Sequence, residues 1–143
     1  MDEVDEVMAA WHRERPDLAT SPMAVWSRIH RLAALLDAAR KRCFAEHGLD
    51  NWEFDVLAAL RRAGEPYQLS PGQLLHQTHV TSGTMTNRVD RLCDRGLVTR
   101  HAAPSDGRSV VVGLTGAGRR AVDNALEALV ELEESLLADQ PAR

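Results

Sequence analysis

Apolar residues recur at intervals of three and four positions along most of the chain, a spacing that predicts α-helices. Residues 1–13 place Val4, Val7, Met8 and Trp11 on one stripe of an otherwise charged helix. A stripe of this kind has to pack against another surface. We therefore expect Trp11 to anchor the helix on the core or on a second subunit.

A long helix is predicted to begin at Ser21 and Pro22 and to run to about His47, before Gly48. Apolar side chains nearly encircle its first half, which favours burial between neighbouring elements. These side chains are Met23, Val25, Trp26, Ile29, Leu32, Ala33, Leu36 and Ala39.

A further helix is predicted over about residues 52–63. Phe54 lies opposite its main apolar face, which indicates a helix sandwiched between two layers. Asp55 stands at the edge of the core face, where a carboxylate in the first turn interacts favourably with the helix dipole. The main face consists of Trp52, Val56, Ala59, Leu60 and Ala63.

After the loop AGEPYQL at residues 63–69, the chain has the pattern helix, turn, helix, strand, turn, strand. Ser70 and Pro71 suit the N-cap and the first position of a short helix. A second helix is expected to begin near Thr81 or Ser82 and to stop at Gly96, a residue suited to a left-handed helix end.

The second of these helices has a core side and a polar side, with Arg88 on the border between them. The polar side is small and hydrogen-bonding near its start. This fits a helix that presents its N-terminal half to the major groove of DNA. The core side consists of Met85, Val89, Leu92 and Gly96 with Cys93 beside them, and the polar side of Gly83, Thr84, Asn87, Asp90, Arg91 and Asp94.

The β-rich runs at residues 97–101 and 109–114 are predicted to form a hairpin, because Pro, Ser, Asp and Gly lie between them. Arg108 is near the tip of this hairpin. A basic residue there, beside a helix-turn-helix, is placed to enter a minor groove. We expect Asp106 to orient this wing by turn hydrogen bonding or by pairing with an arginine.

From Thr115 onward a last helix carries a long apolar stripe, which is typical of a helix that packs against another helix, including one from a partner chain. The stripe consists of Ala121, Val122, Ala125, Leu126, Leu129, Leu132, Leu136 and Leu137.

Three motifs together resemble the multiple antibiotic resistance regulator (MarR) family of winged-helix repressors. They are VTSGTMTNRVDRLCDRGLVTR at residues 80–100, PSDGR at 104–108 and GLTGAG at 113–118. The segments at 11–32 and 47–75 are similar to the urate-responsive and PecS-like branch, which has an extra N-terminal helix. Family members usually continue into a further terminal helix, so the dimer contact is expected to be smaller here.

The resemblance implies one mainly α (α+β) domain over residues 1–143. Its parts would be N-terminal dimerisation and pocket helices at 1–47, a winged helix-turn-helix at 48–114 and a C-terminal dimerisation helix at 115–143. The expected function is regulation of transcription, by default repression, through a homodimer on a pseudo-palindromic double-stranded DNA operator. The expected DNA contacts are Ser82, Thr84, Thr86, Asn87, Arg91 and Arg108.

In the urate-responsive branch a small anionic ligand releases the DNA, and the ligand-binding pattern maps onto Trp11, Asp55, Arg88 and Arg100. A planar anion could pair with Arg88 and be repelled by Asp55, which would shift the recognition helix. A structural Asp55–Arg88 salt bridge without a ligand and a phosphate contact for Arg100 stay open. Urate, other purine metabolites, citrate and trans-aconitate are all candidate effectors.

Composition changes this picture little. A chain of 143 residues with 44% hydrophobic residues suits one domain with a real core. The formal net charge is −4, yet residues 70–108 carry five basic and three acidic side chains, so the balance is positive where DNA-reading elements are predicted. No run reaches the length of a membrane span and the N-terminus is acidic, so we expect a cytoplasmic protein.

Other classes of function are less well supported. We find no nucleophile with a base, no paired carboxylates and no phosphate-binding loop at usable spacing, so neither enzyme activity nor a cofactor is expected. Redox sensing through Cys93, with Cys43 as the other cysteine, stays open, as does zinc sensing through His76 and His79. A winged helix that binds protein instead of DNA would lack a steep dependence on salt.

Overall fold

The computed structural model of the protein describes residues 1–103 and 109–138. Within them lie six helices and three short strands, which confirms the mainly α fold with a small β part. No helix in this described part is long and apolar enough to cross a membrane. In chain order the elements are α1 (Glu3–Glu14), α2 (Pro22–Glu46), α3 (Asn51–Arg62), β1 (Gln68–Leu69), α4 (Pro71–Thr78), α5 (Ser82–Asp94), β2 (Val98–Ala102), β3 (Val110–Leu114) and α6 (Gly116–Ala138).

Residues 1–40 form one compact unit that contains α1 and most of α2. The Asp2 carboxylate caps α1 by accepting from the Asp5 N–H at 3.0 Å, and the Asp5 carboxylate accepts from the Asp2 N–H at 2.9 Å. Arg28 of α2 donates to both carboxylates, at 3.0 Å and 2.9 Å, and so fastens α1 to α2. The hydrogen bonds that Asp2 accepts from Arg28 and from the Asp5 N–H lower the pKa of Asp2 to about 2 from its ordinary value of 3.8.

The predicted burial of the first half of α2 is wrong for the single chain. Trp26 is 68% exposed, and Trp11 on α1 is 44% exposed. The physical reason is that, within this unit, α2 has one short helix to pack against, so most of its circumference faces solvent. The exposed large apolar side chains of α2 are Met23, Val25, Trp26, Ile29, Leu32, Leu35 and Leu36.

The second compact unit begins at Lys41, and its core is built around α3. Phe54 stacks on Phe44 with the ring centroids 4.2 Å apart. The predicted sandwiching of α3 is confirmed, because its buried side chains point to more than one side: Phe54, Val56, Leu57, Ala58, Ala59 and Leu60. Ala63, predicted on the apolar face, instead caps the helix end and is exposed.

Three antiparallel strands form a sheet in the order β1-β3-β2. The predicted hairpin is confirmed, with β2 and β3 paired from Val98 opposite Leu114 to Ala102 opposite Val110. β1 pairs with the other edge of β3, where the sequence predicts a loop. Two residues are too few to show the alternation by which a strand is recognised.

The start of α6 packs closely on the end of α5 because Gly118 has no side chain. Thr115 Oγ1 accepts from the Gly118 N–H at 3.0 Å and donates to the carbonyl oxygen of Gly96 at 2.8 Å. A Cβ on Gly118 would lie 2.1 Å from the carbonyl oxygen of Leu97. Gly118, the last residue of the LTGAG motif, is therefore required for the close packing at this junction.

Candidate nucleic-acid interface

α4 and α5 form the helix-turn-helix, and both begin where the sequence predicts. Ser70 Oγ accepts from the Gln73 N–H at 3.2 Å, and the Gln73 side chain accepts from the Ser70 N–H at 2.8 Å. α4 ends at His79, whose φ of 56° is in the left-handed region. Thr81 then caps α5 by accepting from the Thr84 N–H at 3.3 Å. These local caps fix the angle at which α5 leaves the turn.

α5 has the two sides that the sequence predicts. Met85, Val89 and Leu92 are buried in the core, and Arg88 is half-buried at the border. The opposite side presents hydroxyl, amide and guanidinium groups, which can reach phosphates and base edges. The candidate DNA contacts on α5 are all exposed: Ser82, Thr84, Thr86, Asn87 and Arg91.

The hydroxyl groups of Thr84 and Thr86 differ in the hydrogen bonds that they can still make to an outside partner. Thr81 Oγ1 donates to Thr84 Oγ1 at 2.9 Å, so Thr84 keeps its own hydroxyl proton for an outside acceptor. Thr86 Oγ1 donates to the carbonyl oxygen of Ser82 at 3.1 Å, so its oxygen is left as an acceptor. Thr84 therefore suits a phosphate oxygen, and Thr86 suits a base amino group.

Trp52, in the first turn of α3, contacts two arginines of α5. The guanidinium carbons of Arg88 and Arg91 lie 5.4 Å and 5.2 Å from the centroid of the Trp52 ring. Both distances are within the range of a cation–π interaction. The structure thus brings Arg88 and Arg91 together on one aromatic side chain.

A buried carboxylate holds the C-terminal end of α5. Glu53 is 5% exposed, and it accepts from the Arg95 guanidinium and from the Asp50 N–H, the latter at 2.9 Å. Arg95 also donates to the carbonyl oxygen of Gly48 at 2.9 Å. These contacts connect the recognition helix to the N-terminal end of α3.

Arg100 connects the wing to the recognition helix. On β2, it forms an ion pair with Asp90 of α5. It also lines a cavity of about 230 Å³, together with apolar side chains of α5 and β3 and Thr86. Among the described residues that line this largely apolar cavity, Arg100 supplies the positive charge, which suits a small planar anion. The lining residues are Pro71, Met85, Thr86, Val89, Arg100, Val110 and Val112.

Asp106 and Arg108 lie outside the described residues, so their roles in the wing stay predictions. The described base of the wing is closed by a hydrogen bond from the Ala103 N–H to the carbonyl oxygen of Ser109 at 2.7 Å.

The predicted ligand residues are distributed over both compact units. Asp55 is exposed on α3 and follows Trp52 by three positions, which places both on the same side of that helix. Arg88 of α5 lies over the Trp52 ring and so faces that side of α3. Arg100 instead lies at the cavity between α5 and the wing strands, while Trp11 belongs to the first unit.

Sequence reasoning placed Trp52 in the core and missed its contact with the recognition helix. The available signal was the spacing of Arg88 and Arg91, which puts both arginines on one side of α5. That spacing does not reveal which part of the chain they face, because the contact joins residues far apart in sequence.

The cysteines and histidines give limited support to the alternative sensors. Cys43 and Cys93 are both half-buried, and the redox role of Cys93 stays a prediction. Across residues 1–103 and 109–138 no group of three or more His, Cys, Asp or Glu side chains could hold a metal ion. His76 is exposed on α4, and His79 ends that helix.

Comparisons with known proteins agree on one family. Residues 47–109 match the model of the MarR family. The chain is 38% identical over 136 residues to the HTH-type transcriptional regulator PecS of Dickeya dadantii (strain 3937), covering 95% of this chain and 82% of PecS. It is also similar to a mutant MarR from E. coli complexed with operator DNA (TM-score 0.71, 25% identity, 87% of this chain and 88% of that chain). A further similar structure is BpsR of Bordetella bronchiseptica, whose DNA binding is regulated by 6-hydroxynicotinic acid (TM-score 0.68, 25% identity, 82% and 81%).

The helix-turn-helix, the β-hairpin wing and the exposed polar side of α5 define a winged helix-turn-helix DNA-binding protein. The chain belongs to the MarR family. It is a transcriptional regulator and not an enzyme.

Proposed function

We propose that this regulator is a repressor that binds a pseudo-palindromic operator as a homodimer and is released by a small anionic metabolite. The exposed stripe of α5 carries the proposal. Thr84, Asn87 and Arg91 follow one another at i, i+3 and i+7, so they lie on one side of the helix. Such a stripe has the donors and acceptors that read a major groove. The proposed place of action is the cytoplasm.

The proposed contacts divide between the two grooves. Ser82, Thr84, Thr86, Asn87 and Arg91 would contact bases and phosphates in the major groove, where an amide suits adenine and a guanidinium suits guanine or phosphate.

Arg108 would enter the minor groove, and Asp106 would orient the wing. Arg108→Ala is expected to weaken operator binding and to reduce the salt slope by about one unit. An unchanged slope would remove the wing from the contacts.

Exposed apolar side chains support the homodimer. α2 exposes Trp26 and Leu35, and α6 exposes Leu126 and Leu137. Large apolar patches on a helical surface are typical of protein interfaces, and a second copy of the chain is the occupant we propose. A two-fold dimer would place two α5 helices about 34 Å apart, one turn of DNA, which fits half-sites spaced by about 10 bp.

The effector is proposed to act on the arginines that position α5. A planar anion could pair with Arg88 in bidentate fashion and draw it away from Trp52, beside Asp55. Trp11, the fourth residue of the ligand-binding pattern that the resemblance implies, lies on α1 in the first unit.

An anion in the cavity at Arg100 would compete with Asp90 for the same guanidinium. Either event places an anion beside α5. The anion releases DNA only if the DNA-bound form binds it more weakly than the free form does.

The class of effector we propose is a small, planar or polycarboxylate anion such as urate, xanthine, citrate or trans-aconitate. The regulation of BpsR by 6-hydroxynicotinic acid supports this class by similarity. The size of the cavity, about 230 Å³, suits a compact molecule.

A mobility-shift titration on the intergenic DNA beside the protein's own gene tests the proposal. We expect one of the four metabolites to release the DNA from the wild type. Arg88→Ala or Arg100→Ala should lose that response while still binding DNA, and Lys41→Ala, an exposed charge outside the site, should behave like the wild type. Binding that ignores all four metabolites would contradict the effector model.

A reporter fused to the bound promoter tests the mode of regulation. Its activity is expected to rise when the regulator's gene is deleted. A fall in activity would indicate activation.

A further inference from the structure

We infer that Trp52 is a positioning residue for DNA recognition, because its indole holds Arg91 in the orientation that operator binding uses. The inference rests on the proposed function, in which Arg91 contacts the DNA. It adds a residue of the scaffold helix α3 to the determinants of operator affinity.

Arg91 lies where two stripes of α5 meet. One stripe is the exposed set of Thr84, Asn87 and Arg91, and the other consists of Arg88, Arg91 and Arg95, which face the N-terminal end of α3. Arg91 is exposed, yet its guanidinium carbon lies 5.2 Å from the centroid of the Trp52 ring. The same side chain can therefore contact the scaffold and the DNA.

The Trp52 ring is a fixed surface. It is partly buried and packs against the hydrophobic core of the second unit. The Glu53–Arg95 ion pair, one residue further along α3, sets how α5 lies on this helix end independently of Arg91. These contacts support the indole from the side of the core, beside Arg91.

Stacking and DNA binding use different parts of a guanidinium. A guanidinium carries five N–H donors spread around its plane, so a contact with one ring leaves donors on its far side for DNA. Arg91 can thus stay on Trp52 while it donates to a phosphate or a guanine. A held arginine loses less rotamer freedom on binding than one that is free in solvent.

A double-mutant cycle on operator affinity tests this inference. We expect Trp52→Leu to weaken binding by about 2- to 5-fold, the equivalent of about 0.5–1 kcal/mol for a partly exposed cation–π contact. The loss should disappear in an Arg91→Ala background and persist in an Arg88→Ala background, which removes the other arginine on the same ring. Trp52→Phe keeps an aromatic face and should retain most of the affinity, which guards against a folding defect in the leucine variant.

The chemical shifts of the free protein supply a second measurement that requires no DNA. The side-chain protons of Arg91 over the indole should be shifted upfield by its ring current, and this shift should vanish in Trp52→Leu.

An equal loss of affinity in the presence and absence of Arg91 would overturn the inference alone. An Arg91→Ala variant that binds as tightly as the wild type would overturn both the inference and the proposed contact of Arg91 with DNA. Failure of the wild type to bind any specific DNA would overturn the proposed function as well.

Discussion

Replacing Arg95 with alanine tests whether a buried ion pair holds the recognition helix on its scaffold. Glu53 is 5% exposed and accepts from the Arg95 guanidinium and the Asp50 N–H. Without Arg95, the Glu53 carboxylate stays largely buried. Of the two donors just named, the Asp50 N–H remains. The folded state should therefore lose stability.

The structure sets the size of this loss. Removing one partner of a fully buried pair costs about 3–5 kcal/mol, whereas exposed pairs are worth about 0–1 kcal/mol. The Arg95 side chain is 45% exposed, so water replaces part of the lost contact. Between these limits we expect the free energy of unfolding to fall by about 1–2 kcal/mol.

Urea denaturation followed by circular dichroism measures this change. With a slope of about 1–3 kcal/mol/M, the midpoint of Arg95→Ala should fall by about 0.3–2 M. Glu53→Gln removes the buried charge, so adding Arg95→Ala to it should cost about 1 kcal/mol less than in the wild type. An unchanged midpoint, or an equal loss in both backgrounds, would refute the reasoning.

Three further predictions concern packing, assembly and pH. Gly118→Ala should lower the free energy of unfolding by about 1–3 kcal/mol in a thermal melt, because its Cβ would overlap the backbone. Gly116→Ala is the control, since its Cβ meets a flexible side chain, and it should not lower the stability. Equal melts of the two variants would contradict this. Trp26→Asp should sediment as a monomer while Trp26→Phe remains a dimer, and a dimeric aspartate variant would count against α2 as the interface. Because the pKa of Asp2 falls to about 2 on folding, its pairing with Arg28 should stabilise the protein above about pH 4 and be lost as the pH falls toward 2. The gap in urea midpoint between wild type and Asp2→Asn should therefore shrink between pH 7 and pH 3, and a constant gap would contradict the assignment.

The features that the sequence predicts well are those encoded by neighbouring residues. Ser70 with Gln73 and Thr81 with Thr84 form the caps that start α4 and α5, and each cap is made within one turn. The wing strands are similarly local, since turn residues separate two β-rich runs. The exposed side of α5 follows from helical periodicity, so the candidate DNA contacts could be named without a structure.

The features that the sequence does not predict depend on contacts between distant residues. The apolar pattern of α2 correctly gives a helix, but periodicity cannot tell burial within the chain from burial against a second copy, and Trp26 is exposed. The stacking of Arg88 and Arg91 on Trp52 joins two helices whose relative placement no local pattern encodes. β1 is likewise defined by its pairing with β3, a strand that is distant in sequence.

The salt dependence of operator binding tests the central claim most directly. The assay titrates the protein against its own upstream intergenic DNA and against a scrambled duplex at several salt concentrations. If α5 and the wing of each subunit contact phosphates, log Kobs should fall linearly with log salt at about −0.9 per contact, giving a slope of roughly −3 or steeper. The upstream DNA should also bind more tightly than the scrambled duplex at every salt concentration. A flat dependence on salt, with no preference between the two duplexes, would contradict the assignment of this winged helix to DNA.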